Sequence, residues 1–334
     1  MNTSPVKSAM ASQVNIITVG GGKGGIGKSV VATNLAVGLA LGGQNVVLVD
    51  TDYGASNLHA LLGISNPKRG FLDFFTQKDK NSNSLLLDTG ISNLKFVSGA
   101  GDNPGSANLQ EEHKNRIFDF IKNLQANYVL LDLGPGSSYN VIDYFNIGTQ
   151  GIVLTIPEMP SVMNAFSFIK NTLFRRLDME LGGQPKIREL TDFSKNPDAA
   201  NEMYSLDQLK KNVGKSNSAI VRKIDSVTAS FKPNLLVNRV RQKKDLLLGQ
   251  HLIALVKKYL EVDLNYLGYI VESDQVRSSV NKMIPFLIKN PQSKPSENLQ
   301  RVIGELTHSD IHLVKKGGMI FVSKQVRLSS GWDS

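Results

Sequence analysis

The feature that most limits what this chain can become is a glycine cluster, GGGKGGIGKS at Gly20 to Ser29, set between two apolar segments of different period. Val14 to Val19 (VNIITV) has the length and content of a short buried strand, whereas Val30 to Leu41 carries its apolar residues at helical spacing. Strand, glycine turn and helix together open a βαβ unit. Within the turn stands G-x-x-x-x-G-K-[ST], from Gly22 through Gly27 to Lys28 and Ser29, and its place after a strand and before a helix makes it a specific phosphate signal. Glycines let consecutive backbone N–H groups curl around phosphate oxygens with no Cβ in the way, and the amino end of the helix adds a favourable dipole. The expected cradle is Gly22, Gly24, Gly25, Ile26, Gly27, Lys28, Ser29 and Val30. Lys28 would neutralise the β and γ phosphates, and the Ser29 hydroxyl would fill one Mg²⁺ position.

The alternation continues downstream. Asn45 to Asp50 (NVVLVD) is continuous in Val and Leu, as a strand covered on both faces should be, and it ends in a carboxylate. Further strands are expected at Leu94 to Ser98, Tyr128 to Asp132, Gly151 to Ile156, Asn234 to Asn238 and Tyr266 to Ile270, with helical patterns between most of them. This order predicts an α/β fold: a doubly wound, mostly parallel sheet with helices on both faces and ligands at the carboxyl ends of the strands. The expected organisation is a flexible leader over 1–13, a single domain over 14–307, and a C-terminal tail over 308–334. A basic surface insertion at about 175–232 breaks the alternation, with helices expected around Ser205 to Val213 and Ala219 to Ala229. From Asn171 to Asp245 there are 15 Lys and Arg against 9 Asp and Glu, which is most of the whole chain's net charge of +9.

Composition narrows the chemistry. With 41% hydrophobic and 20% charged residues among 334, the chain is an ordinary globular one. The absence of cysteine excludes disulfides, thiolate zinc sites, iron–sulfur clusters and cysteine nucleophiles, so a metal must be held by oxygen or imidazole. No run approaches the ~18 apolar residues of a membrane-spanning helix, and the leader MNTSPVKSAMASQ lacks the apolar core of a secretory signal. A cytoplasmic protein is expected. Asp50 and Asp52 end the second strand, where alternation would turn both toward the phosphate loop, and Asp132 ends the strand YVLLD ahead of Gly134 and Gly136. Asp132 has the place of a carboxylate that holds Mg²⁺, usually through water.

These residues carry a resemblance. KGGIGKS, with the additional Lys23, resembles the deviant Walker A motif of the MinD/ParA family of P-loop ATPases. The resemblance implies ATP and Mg²⁺ as cofactors, and an ATP-dependent homodimer in which Lys23 reaches the partner's nucleotide. It further implies that Asp52 positions the attacking water, which makes Lys23, Lys28 and Asp52 the catalytic set and Ser29, Asp50 and Asp132 the metal set. Asp50 would support the Mg²⁺ shell or Lys28. Asn57 matches the asparagine of the family's first switch, while His59 stands where an acidic residue is usual. DLGPG at Asp132 to Gly136 is worded more like the flagellar-number regulators than like plasmid partition proteins. Gly151 to Lys170 resembles the family's V-T-x-P-E segment, departing from it at Pro160 and Asn164; Glu158 would then contact the ribose or the partner. Asn238, with Arg239 beside it, falls where the family reads adenine, and an amide can both donate to and accept from that base.

Such ATPases switch between free and surface-bound states, with an ATPase-stimulating protein as a further partner. Two surfaces are open. A membrane, at the inner face of which the protein would be peripheral, would be met by the tail KKGGMIFVSKQVRLSS, although its apolar residues do not line one helical face and a short strand or a frayed tail is the other reading. Nonspecific DNA would be met by Arg175, Arg176, Lys210, Lys211, Lys215, Arg241, Lys243 and Lys244. Cluster-carrying relatives of the fold are excluded by the missing thiolates.

Overall fold

The computed structural model describes residues 14–53, 57–67, 69–71, 82–99, 111–182, 205–214, 218–316 and 319–326. Among them the main sheet has eight strands: β1 (Asn15–Gly20), β2 (Val46–Asp50), β3 (Leu87–Asp88), β4 (Leu94–Val97), β5 (Tyr128–Asp132), β6 (Gln150–Thr155), β7 (Asn234–Val240) and β8 (Asn265–Val271). Their order is β3-β4-β2-β5-β1-β6-β7-β8. Every neighbouring pair is parallel except β3–β4, an antiparallel edge that sequence pattern does not reveal because two residues carry no period. The apolar runs have the cause expected of them: β2 is buried at all five positions, because helices cover both faces.

Two apolar layers result. On one face the helices Lys28–Leu41 and Lys294–Thr307 pack Leu35, Leu39, Leu299 and Ile303 against Ile17, Leu48 and Leu130. On the other face Glu111–Lys122, Tyr139–Asn146, Met159–Leu181 and Leu246–Leu260 pack Ile117, Tyr144, Phe168 and Leu252 against Val49, Leu131 and Val153. The second layer also holds charge. Asp143, 1% exposed, accepts from Lys114 Nζ at 2.6 Å and from Arg175 Nε at 2.7 Å, so three helices are tied at one buried carboxylate. The stretch expected as a surface insertion contributes helices Leu206–Gly214 and Ser218–Ser230, which lay Leu209, Val213 and Ile224 on the same buried layer.

The tail does not form an amphipathic helix over the described residues. It is an antiparallel hairpin, β9 (Ser309–Lys316) with β10 (Met319–Val326), registered Leu313 opposite Val322. Leu313 is buried and its N–H donates to Gln300 Oε1 at 3.0 Å, which pins β9 to the last helix. The β-branched and aromatic run IFV favours a strand here, and its consecutive apolar residues form no helical stripe. The leader 1–13, Lys215 and residues 327–334 lie outside the described residues.

Removing the carboxylate from a buried ionic cluster leaves its cations uncompensated. Asp143→Ala is therefore expected to lower unfolding stability by about 3–5 kcal/mol, measured by urea denaturation followed by circular dichroism; a change below about 1 kcal/mol would mean that the cluster is solvated like a surface pair.

Candidate nucleotide site

The turn between β1 and the helix Lys28–Leu41 owes its shape to glycine at particular points. Gly27 caps the helix with φ 97°, a left-handed value that side chains resist. Gly22 is confined instead: a Cβ there would lie 2.2 Å from the carbonyl oxygen of Asn164, so the loop backbone rests directly on the helix Met159–Leu181. Lys28 folds back into the turn, 7% exposed, with Nζ donating to the Lys23 carbonyl at 3.2 Å. Burial depresses its pKa, while Asp132 and Asp52 oppose that shift. Lys23 stands exposed on the same stretch as Gly24 and Gly25.

The carboxylates arrive on neighbouring strands. β2 and β5 end in register, Asp50 opposite Asp132, and both are at most 2% exposed. Burial first, and then the facing Asp50, push the Asp132 carboxyl up to about 8, against a hydrogen bond from the Ser29 hydroxyl and the charge of Lys28. Asp132 Oδ1 is buried without a hydrogen-bond partner. Asp50 is occupied differently: Oδ1 accepts the Asp52 N–H at 3.0 Å and Oδ2 the Leu58 N–H at 3.4 Å. It therefore shapes the segment that carries Asp52 and the turn after Asn57. Asp52 is half-buried beyond the strand end, and a Cβ on Gly134 would lie 3.4 Å from its Cγ, so the segments after β2 and β5 meet at this point. His59 stands in a short turn of helix, Leu58–Leu61, with Nδ1 buried and without a hydrogen-bond partner.

A cavity of about 290 Å³ continues from the loop along the ends of β7 and β8, lined by Gly27, Val30, Asn238, Arg239, Glu272 and Val276 among others. Asn238 Nδ2 donates to the Ile26 carbonyl at 2.8 Å, so one amide hydrogen is already committed to holding the phosphate loop. Arg239 has φ 56° at an irregularity in the β7–β8 register, a conformation that costs energy and recurs at binding sites. Glu158 does not join this lining: it is exposed at the N-cap of the helix Met159–Leu181, where its charge acts on Arg241 together with that of Glu272. Sequence reasoning misses the walls supplied by Ile270, Ser273, Val276 and Phe286, because ordinary apolar and helix-capping residues give no chemical signal of their own.

The donor set suits a small hard cation. Oxygen ligands on Ser29 and Asp132, one of them an orphaned buried carboxylate oxygen, are what Mg²⁺ needs beside phosphate oxygens and water. Among the described residues no cluster of three or more His, Cys, Asp or Glu could hold a metal without such help.

Two outcomes follow from this geometry. Folded Asp132 keeps its proton up to about pH 8 whereas an unfolded aspartate loses it near pH 4, so the metal-free folded state binds more protons between those values and loses stability as pH rises through them. Thermal melts of metal-free protein across that range should fall with pH, and Asp132→Asn should flatten the fall; a wild-type midpoint independent of pH would contradict the burial of an unpaired carboxyl. Gly22→Ala, whose methyl meets a backbone oxygen rather than a movable side chain, should weaken binding of a fluorescent nucleotide by at least ~10-fold, and unchanged affinity would show that the loop stands clear of the helix.

Comparison with known proteins agrees with the architecture. Residues 17–286 match the model of the CobQ/CobB/MinD/ParA nucleotide binding domain. The chain is 25% identical to the antiactivator FleN of Pseudomonas aeruginosa over 285 residues, covering 85% of this chain and 82% of that protein. It is 29% identical to a putative septum site-determining protein MinD of Tupiella akineta over 151 residues, a match that spans 45% of this chain and only 49% of that relative. The structure of MinD with Mg-ADP from Pyrococcus horikoshii superposes with a TM-score of 0.59 at 18% identity, covering 88% of this chain and 96% of that one, which shows the shared fold. By the extent of the domain match, the chain belongs to the CobQ/CobB/MinD/ParA nucleotide-binding family.

Proposed function

We propose that the protein is a Mg²⁺-dependent ATP hydrolase whose nucleotide cycle drives dimerisation and placement on a cellular surface, in the manner of an organiser of flagella, of the division site or of polar machinery. The observation that carries this reading is the convergence of a buried lysine, a hydroxyl and an unsatisfied buried carboxylate on one glycine turn. The turn's amides and Lys28 receive the phosphates, and the cavity along β7 and β8 receives the base beside Asn238. Ser29 and Asp132 would hold Mg²⁺, with Asp50 behind them, and the ion would supply charge neutralisation at the phosphates. Asp52 accepts a hydrogen bond from the attacking water and holds it in line with the γ phosphate, while Lys28 stabilises the charge that develops. Lys23, exposed on the loop, is free to reach the nucleotide of a second copy. An ATPase-stimulating protein sets the rate of return.

For the surface, the ion pairs weigh against DNA. Four of the eight cations expected to meet phosphates already have acidic partners: Arg175 with Asp143, Lys210 with Asp225 and Glu261, Lys211 with Asp207, and Arg241 with Glu272. A cation already paired with a carboxylate adds little net neutralisation of a polyanion's phosphates. Among the described residues no helix is long and apolar enough to cross a membrane, so contact with a lipid surface would be peripheral.

Lys28→Ala is expected to abolish ATP binding, whereas Asp52→Ala should still bind ATP but turn it over at least ~100-fold more slowly. Phosphate-release and filter-binding assays separate the two, and normal turnover by Asp52→Ala would show that another group positions the water. Sedimentation of Asp52→Ala with ATP should carry the protein down with anionic vesicles; pelleting with nonspecific DNA alone would favour the partition reading.

A further inference from the structure

Asp52 is followed by a residue that no feature of the nucleotide site requires. Chain alternation sends Tyr53 away from the phosphate loop into the opposite apolar layer, where it is 8% exposed. There its hydroxyl meets the hydroxyl of Tyr144 at 2.7 Å, buried from solvent. The rings are fixed as well: Tyr53 stands edge-on to Phe71 at 5.9 Å, and Tyr144 edge-on to Phe118 at 4.9 Å. Burial, the largest cause in each case, raises both phenols above their ordinary range, so the pair remains neutral and bridged by one shared hydrogen bond.

The two partners sit on the two segments that meet where Gly134 approaches Asp52. Tyr53 immediately follows Asp52. Tyr144 lies in the helix Tyr139–Asn146, which is capped by Ser138, two residues after Gly136, and therefore carries the glycine segment that faces Asp52. That helix is itself immobilised, because Asp143 beside Tyr144 is held by Lys114 and Arg175.

We propose that the Tyr53–Tyr144 hydroxyl pair is a positioning device that fixes Asp52 against the segment following β5, so that water placement depends on both segments moving as one. Neither tyrosine touches nucleotide; each acts through Asp52. The inference rests on the ATP-hydrolase reading above. Asp50 already accepts the Asp52 N–H and Thr51 donates to the Asp132 carbonyl; if the hydroxyl pair completes that placement, deleting either hydroxyl should slow the chemical step while leaving nucleotide affinity intact, and deleting the second should add nothing.

The test is steady-state ATP hydrolysis by wild type, Tyr53→Phe, Tyr144→Phe and the double variant, with thermal midpoints measured beside it. Each single variant is expected to lower kcat by roughly 5–10-fold with KM for ATP within about twofold of wild type, and the double variant should match the singles. Unchanged kcat in both singles, independent multiplicative losses in the double, or a rise in KM alone would overturn the positioning role while leaving the ATPase standing. Absence of turnover in wild type would overturn the ATPase reading and this role with it. Should the variants fold poorly, hydrogen exchange on the wild-type protein decides the matter: residues 51–53 and 139–146 should change protection together when ATP and Mg²⁺ are added, and separate responses would refute the coupling.

Discussion

Two carboxylates face each other across β2 and β5, out of water, with one buried ammonium near them. Much of the site follows from the electrostatics of that arrangement. Asp50 relieves its share by accepting backbone N–H groups from the segment after β2, which folds that segment around it. Asp132 has no such relief at Oδ1, and its carboxyl keeps its proton far above the ordinary aspartate range. A divalent cation brought in with phosphate would displace that proton and remove the conflict, so the fold is prepared for positive charge before any ligand arrives. The phosphate turn then contributes geometry, and the strands contribute the field.

Much of this is legible in sequence because its causes are local. A glycine turn between a strand and a helix has one economical use, and strands sealed on both faces read as continuous Val, Leu and Ile. The places of most strands, of Lys28 and Ser29, and of the carboxylate at each strand end all follow from patterns of about ten residues or fewer. What stays hidden depends on contacts far apart in the chain. Asn238 lies more than 200 residues from the Ile26 carbonyl it holds, and Tyr53 is 91 residues from Tyr144. Arg175 reads as a surface cation because its partner Asp143 is on another helix. The tail is ambiguous for a different reason: its apolar residues fit no helical stripe, and only register with Ser309–Lys316 reveals the hairpin.

The same distinction separates the two apolar layers. The layer beneath the phosphate loop is almost wholly aliphatic, and packing dominates how its helices are held. The other contains tyrosines, phenylalanines and a buried ionic cluster, whose directional bonds fix where helices stand along the sheet as well as how far from it. That layer supports the helices leading from the segments that would sense the γ phosphate, and directional bonds there restrict sliding that aliphatic packing would tolerate.

The missing side chain at Gly22 has a mechanical corollary. Where the loop backbone and the Asn164 carbonyl touch without a cushion, no soft atom absorbs a small displacement. Were the turn to tighten on a bound anion, the first turns of the helix Met159–Leu181 would have to travel with it, and the exposed Met159 at its tip as well. A slight shift at the phosphates would then become a change in outward shape, which a neighbouring molecule could feel without ever meeting the nucleotide.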